Sequence, residues 1–90
     1  MVKFPFEQIT TDSGFIRTFS GTVDEEELAW HRDHESREVT VVQSRGWYLQ
    51  LDDELPIAMH PGDVFQIPQE TWHRVIRRGN EDLIVKIKMS

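Results

Sequence analysis

The sequence predicts a small all-β domain, either a sandwich or a closed barrel, built from seven or eight short strands. Apolar and polar residues alternate in short runs, turn residues separate these runs, and no long helical pattern interrupts them. A chain of 90 residues is long enough to bury one hydrophobic core. We therefore expect residues 1–90 to form a single domain.

Turn residues define the strands of the first half. Residues 14–19 form the first expected strand, which ends at a Ser-Gly turn. The acidic residues 24–27 follow; the spacing of Thr22 and Glu25 could cap one helical turn, but we expect a solvated loop. An extended segment then begins with residues 28–31. Residues 37–43 are rich in β-branched side chains, and residues 47–51 return antiparallel to them after a Ser-Arg-Gly turn.

The second half alternates in the same way. Residues 55–59 lead into a Pro-Gly-Asp turn, residues 64–67 and 71–76 form two further strands, and residues 83–88 form the last. In that last strand every second residue is a large aliphatic one, as expected where one face is buried. The residues on the expected buried face are Leu83, Val85 and Ile87.

Composition excludes several classes of function. The formal net charge of -6 argues against a nucleic-acid partner, because binding phosphates requires a basic surface. The chain contains no cysteine, so thiolate chemistry is excluded. No segment approaches the roughly 20 apolar residues that span a bilayer, and the N-terminus lacks the apolar run of a signal peptide. We expect a cytoplasmic protein that binds neither membranes nor nucleic acid.

The segment at residues 62–74, GDVFQIPQETWHR, is the most informative part of the chain. It resembles the second motif of the cupin superfamily, G-x5-P-x-G-x2-H-x3-N, with a glycine, a proline and His73 in register. Glu70 stands where the motif has glycine, and Arg77 where it has asparagine. The resemblance covers residues 31–87 and implies a small single-domain cupin, a double-stranded β-helix or jelly-roll barrel with one pocket. It also implies that His73 is a metal ligand.

The first cupin motif, G-x5-H-x-H-x3-4-E-x6-G, should precede this segment, and residues 30–39 resemble it imperfectly. In one register His31 is the first histidine, Asp33 replaces the second, and Glu38 is the glutamate. The resemblance then implies a divalent transition metal (Fe, Mn, Ni, Cu or Zn) that acts on a small-molecule ligand as a Lewis acid or dioxygen-activating centre. The implied metal ligands are His31, Asp33, Glu38 and His73.

A second register gives a different site. If Ser44 takes the place of the closing glycine of the motif, Arg37 falls at the glutamate position. Strand alternation puts Arg37 on the same face as Val39, and Glu38 on the other, so that only a bulge would turn Glu38 inward. An inward arginine would bind a carboxylate or a phosphate. The alternative function is therefore a metal-free, non-catalytic cupin that binds a small anion or has a structural role.

Two other histidines and two tryptophans have less specific interpretations. His34 is either a further ligand or an exposed loop residue, and exposure is favoured because loops lie on the surface. His60 lies at a turn and is expected at the surface. Trp30 and Trp72 fall on the faces opposite the candidate histidines, where they would pack against the core or form a dimer patch. Cupins of this size are often homodimers, and we expect a homodimer here.

Overall fold

The computed structural model describes residues 4–89 and consists of two antiparallel sheets that share one core. The eight strands are β1 (Phe6–Thr11), β2 (Gly14–Phe19), β3 (Arg37–Gln43), β4 (Trp47–Leu51), β5 (Ile57–Ala58), β6 (Val64–Ile67), β7 (His73–Arg77) and β8 (Leu83–Met89). The larger sheet has the order β1-β2-β8-β3-β6 and the smaller sheet the order β5-β4-β7. This arrangement confirms the predicted all-β jelly roll.

The register of the larger sheet aligns the inward residues in rows. Val39 of β3 lies opposite Ile87 of β8, and Val41 lies opposite Val85. All four side chains are buried, because residues directly opposite each other on antiparallel strands point to the same face. The apolar face expected for the last strand is therefore the buried one, as alternation predicts.

Trp47 fills the core at the end of the smaller sheet that lies away from His73. Its side chain is 1% exposed, its Nε1–H donates to the Glu81 carbonyl at 2.7 Å, and its ring lies 5.9 Å from that of Phe19. Arg77, at the far end of β7 from His73, donates its Nε–H to the Val23 carbonyl at 3.0 Å. The side chain at the asparagine position of the motif thus braces a loop.

Four features differ from the sequence-based expectations. Residues 47–51 do not pair with residues 37–43, because β3 lies between β8 and β6 in the larger sheet whereas β4 lies between β5 and β7 in the smaller sheet. β1 was not expected, because its two faces reverse the usual pattern. The large aliphatic Ile9 is exposed, whereas the polar Gln8 accepts a hydrogen bond from the inward Arg17. Residues 28–31 form no strand, since the Leu28 N–H bonds to the Glu25 carbonyl and only His31 pairs. The acidic segment contains a 3-10 turn at Glu25–Glu27 instead of an irregular loop. Within residues 4–89 no helix combines the length and apolar character needed to cross a membrane.

We expect Trp47→Phe to lower the free energy of unfolding by about 1–3 kcal/mol, because it removes the donor to the Glu81 carbonyl and leaves a void in the core. Urea denaturation followed by circular dichroism measures this change. The control is Leu55→Ala, whose side chain is 84% exposed and whose replacement should change stability by less than about 0.5 kcal/mol. Equal losses in the two variants would contradict the core role of Trp47.

Candidate functional site

Two backbone hydrogen bonds bring the candidate histidines together. The His31 N–H donates to the His73 carbonyl at 3.0 Å, and the His73 N–H donates to the His31 carbonyl at 2.8 Å. The two residues thus form an isolated antiparallel bridge beside the smaller sheet. Side chains of such a directly opposed pair point to the same face, and the two imidazole ring centroids lie 4.2 Å apart.

Asp33 is positioned by the turn that precedes β7. The Glu70 N–H donates to the Asp33 carbonyl at 2.7 Å. The Glu70 carboxylate also lies 2.8 Å from Nδ1 of His34 and 3.5 Å from Nε of Arg32, one residue on either side of Asp33. Glu70 has a φ of 60°, the left-handed conformation that glycine adopts without steric cost. Glutamate therefore keeps the backbone shape of the motif and adds side-chain contacts to the loop that carries Asp33.

The donor atoms of His31, Asp33 and His73 lie within 4.8 Å of one another. Nδ1 of His73 lies 2.8 Å from the Thr71 carbonyl, and Nδ1 of His31 lies 3.2 Å from the Ala29 carbonyl. Because a carbonyl oxygen only accepts hydrogen bonds, each Nδ1 carries the hydrogen atom. In the neutral rings each Nε2 then presents a lone pair, which is the form that binds a metal ion.

The electrostatics of this cluster favour a cation. Oδ2 of Asp33 is buried, has no hydrogen-bond donor among residues 4–89, and lies 3.4 Å from Nε2 of His73. A carboxylate oxygen and an unprotonated imidazole nitrogen, both bearing lone pairs, therefore face each other. Burial of the ring lowers the pKa of His73 below its ordinary 6.5, despite the opposing effect of the Thr71 carbonyl, so the imidazolium is disfavoured at neutral pH. A metal ion would satisfy both atoms.

Glu38 and His34 lie outside this cluster. Oε1 of Glu38 accepts a hydrogen bond from Nε2 of Gln66, its direct partner on β6, at 3.0 Å. A bulge near Glu38 would have been needed to turn this side chain inward. The register shift in the β3–β8 pairing falls further along, between Val41 and Gln43, so Glu38 keeps its outward direction. Glu38 therefore faces Gln66 and not the group formed by His31, Asp33 and His73. His34 is 95% exposed and pairs with Glu70.

Arg37 points into the barrel, as strand alternation predicts. Its side chain is 11% exposed, and its NH2 group lies 3.5 Å from Oδ1 of Asp33. Asp33 therefore presents one carboxylate oxygen to Arg37 and the other to His73. Asp33, a candidate ligand in the first register of the motif, and Arg37, the inward residue in the second register, thus occupy one site.

The cluster faces a cavity of about 450 Å³ between the two sheets. Most of the cavity wall is apolar and comes from both sheets. The arginine, aspartate and histidine residues in the wall are Arg17, His31, Arg32, Asp33, Arg37 and His73. A polar cluster beside a largely apolar cavity is typical of small-molecule sites.

Arg17 is a site residue that the sequence analysis missed. It points inward from β2, between Phe15 and Phe19 on the same face, and its guanidinium lies 4.1 Å from the ring centroid of Phe6. Burial, and next the positive charge of Arg37, lower the pKa of Arg17 to about 10. The available signal was the alternation itself, which places this arginine between two phenylalanines on one strand face.

Three solved structures share the fold. A cupin domain from Bordetella pertussis Tohama I has a TM-score of 0.67 at 15% identity and covers 100% of this chain and 98% of its own. KdgF from Halomonas sp. has a TM-score of 0.67 at 18% identity, with coverages of 99% and 83%. A protein from Neisseria meningitidis has a TM-score of 0.63 at 17% identity, with coverages of 100% and 89%. At these identities the likeness shows the fold alone.

Sequence comparison identifies the family. No curated protein matches the chain. The family model described as "Cupin domain" matches residues 21–87, which is well over half of the chain and includes His31, Asp33 and His73. This protein therefore belongs to the cupin domain family.

Proposed function

We propose that the protein is a metal-binding cupin acting on a small molecule, with the metal held by His31, Asp33 and His73. The observation that carries the proposal is the buried Oδ2 of Asp33, which has no donor among the described residues and faces Nε2 of His73 at 3.4 Å. Two imidazoles and one carboxylate suit Fe, Mn, Ni, Cu or Zn. Three protein ligands leave coordination positions for a substrate.

The chain's own residues would prepare the site for this ion. When bound, the metal would supply a Lewis acid that polarises an oxygen atom of the ligand. The carbonyls of Ala29 and Thr71 fix the orientation of the two rings. Arg37 stands beside the second oxygen of Asp33, and the apolar wall keeps water away from the bound molecule.

The competing function is a metal-free cupin that binds a small anion or is purely structural. One observation favours it, because the guanidinium of Arg37 lies 3.5 Å from Asp33 and already offsets part of the carboxylate charge. A measurement of bound metal separates the two functions.

We expect tag-free wild-type protein, exposed separately to Mn²⁺, Fe²⁺, Ni²⁺, Cu²⁺ and Zn²⁺ and then dialysed, to retain about one ion of at least one metal per chain. Loss of a ligand in His73→Ala or Asp33→Asn should weaken binding at least about tenfold. Plasma mass spectrometry measures the retained metal. The matched control is His60→Ala, which removes an exposed histidine that lies 3.4 Å from Asp63 outside the cluster. Glu38→Gln should also retain the metal.

Metal affinity is expected to fall as the pH drops below 6.5, because protons compete for the Nε2 lone pairs. Burial lowers the pKa of His73, so its ring is mostly neutral at the pH where an ordinary histidine is half protonated. The contribution of His73 to metal affinity is therefore lost only on the acid side of pH 6.5. Zinc affinity, measured against a chromophoric chelator from about pH 8 to about pH 5, tests this direction. An affinity that rises on acidification would contradict ligation by neutral imidazoles.

We also propose that the protein is a cytoplasmic homodimer. Trp30 and Trp72 are exposed next to the histidine pair, with the guanidiniums of Arg74 and Arg32 at 4.7 and 5.2 Å from their respective ring centroids. Exposed tryptophan and arginine are enriched at protein interfaces. Light scattering on the eluting protein is expected to give twice the mass of the chain, and the mass of one chain over a range of concentrations would contradict the dimer.

A further inference from the structure

We infer that the cavity binds a small molecule with one carboxylate and an apolar body, and that Arg17 and Arg37 hold the carboxylate. The inference rests on the proposed function in one respect, because the molecule would occupy the cavity beside the metal ligands. The two arginines would nevertheless hold it whether or not a metal is bound.

Arg37 has hydrogen-bonding capacity that the fold does not use. Its Nε is buried and has no acceptor among residues 4–89. The nearest carboxylate oxygens, those of Asp33 and Glu35, lie 3.5 and 3.8 Å from NH2, whereas charge-assisted hydrogen bonds have lengths of about 2.7–2.9 Å. Both contacts of NH2 are longer than such bonds, so an acceptor in the cavity would give this terminal nitrogen a hydrogen-bond partner that the fold does not provide.

Arg17 is held in place by groups that leave its terminal nitrogens available. Its Nε donates to Oε1 of Gln8 at 2.6 Å, and its guanidinium lies 4.1 Å from the ring centroid of Phe6 and 5.7 Å from that of Phe15. No carboxylate in the described part of the chain lies within ion-pair distance of it. A guanidinium fixed in this way is preorganised for a planar anion.

The charge of the cavity also favours an anion. Arg17 and Arg37 are close enough for the charge of one to lower the pKa of the other, and Asp33 is the carboxylate beside them. The other two charged residues of the wall, Glu27 and Arg32, have opposite signs. The cavity thus has a positive excess in a chain whose formal net charge is -6, and one added negative charge would relieve the repulsion between the guanidiniums.

The shape and chemistry of the cavity favour a carboxylate with an apolar body over a phosphate. A carboxylate has two oxygens, which two guanidiniums can satisfy, whereas the three or more oxygens of a phosphate need further donors. The rest of the wall is mostly aliphatic and aromatic, and about 450 Å³ is the size of a small-molecule site. Apolar residues of this wall are Phe6, Phe19, Leu28, Leu49, Met59 and Val85.

The test uses calorimetry on the full chain with hexanoate as the probe, hexanamide as its neutral counterpart and inorganic phosphate as a second anion. Chelator-treated protein is compared with protein exposed to Zn²⁺, and the metal content of every sample is measured. We expect hexanoate to bind at least about tenfold more tightly than hexanamide or phosphate. Arg17→Gln and Arg37→Gln should each weaken hexanoate binding roughly 10–100-fold.

The matched control is Arg78→Gln, which neutralises an exposed arginine outside the cavity and should leave hexanoate affinity unchanged. Circular dichroism checks the fold of each variant, and Arg17→Gln decides the matter if Arg37→Gln does not fold. Arg17→Gln without effect, hexanamide that binds as well as hexanoate, or no hexanoate binding would overturn the inference. Phosphate binding more tightly than hexanoate would overturn the carboxylate assignment.

The metal content separates failure of this inference from failure of the proposed function. Protein that retains metal but does not bind hexanoate would overturn the inference and leave the metal site standing. Protein that retains no metal but binds hexanoate through both arginines would support the inference and contradict the metal proposal.

Discussion

Two main-chain hydrogen bonds join His31 to His73, and the geometry of the site depends on them. Residues 28–36 lie between the 3-10 turn and β3 and pair with the smaller sheet only at His31. The third main-chain bond, from the Glu70 N–H to the Asp33 carbonyl, fixes the same segment two residues further on. Because all three bonds use backbone atoms, the jelly roll itself positions the cluster of His31, Asp33 and His73, and the side chains carried there can vary without loss of the fold.

Asp33 connects the two halves of the pocket. One oxygen lies beside the guanidinium of Arg37 and the other beside the imidazole of His73. A carboxylate that orients an arginine is less able to rotate, and its second oxygen is then held toward the histidines. The proposed cation-binding and anion-binding sides of the cavity would therefore share one residue, so a substitution of Asp33 would alter both.

Strand alternation was sufficient to predict much of this molecule. It placed Val39 and Arg37 inward, and motif spacing brought His31 and His73 to one site. It did not identify β1, because edge-strand pairing left Ile9 exposed, the reverse of the usual pattern. Arg17 was missed for a related reason. Arg17 is stabilised mainly by the ring of Phe6 and by Gln8, which lie on β1, and alternation within β2 does not show these two partners.

The left-handed turn at Glu70 has a consequence for the solution behaviour of the site. Glutamate in this conformation is strained relative to glycine. Its carboxylate, however, contacts Arg32 and His34, and these contacts offset part of the strain. Those contacts lie at the surface, where the Glu70 side chain is 43% exposed, so dissolved ions screen them. The order of the loop that carries Asp33 is thereby coupled to ionic strength, whereas a glycine at this position would make the turn indifferent to salt.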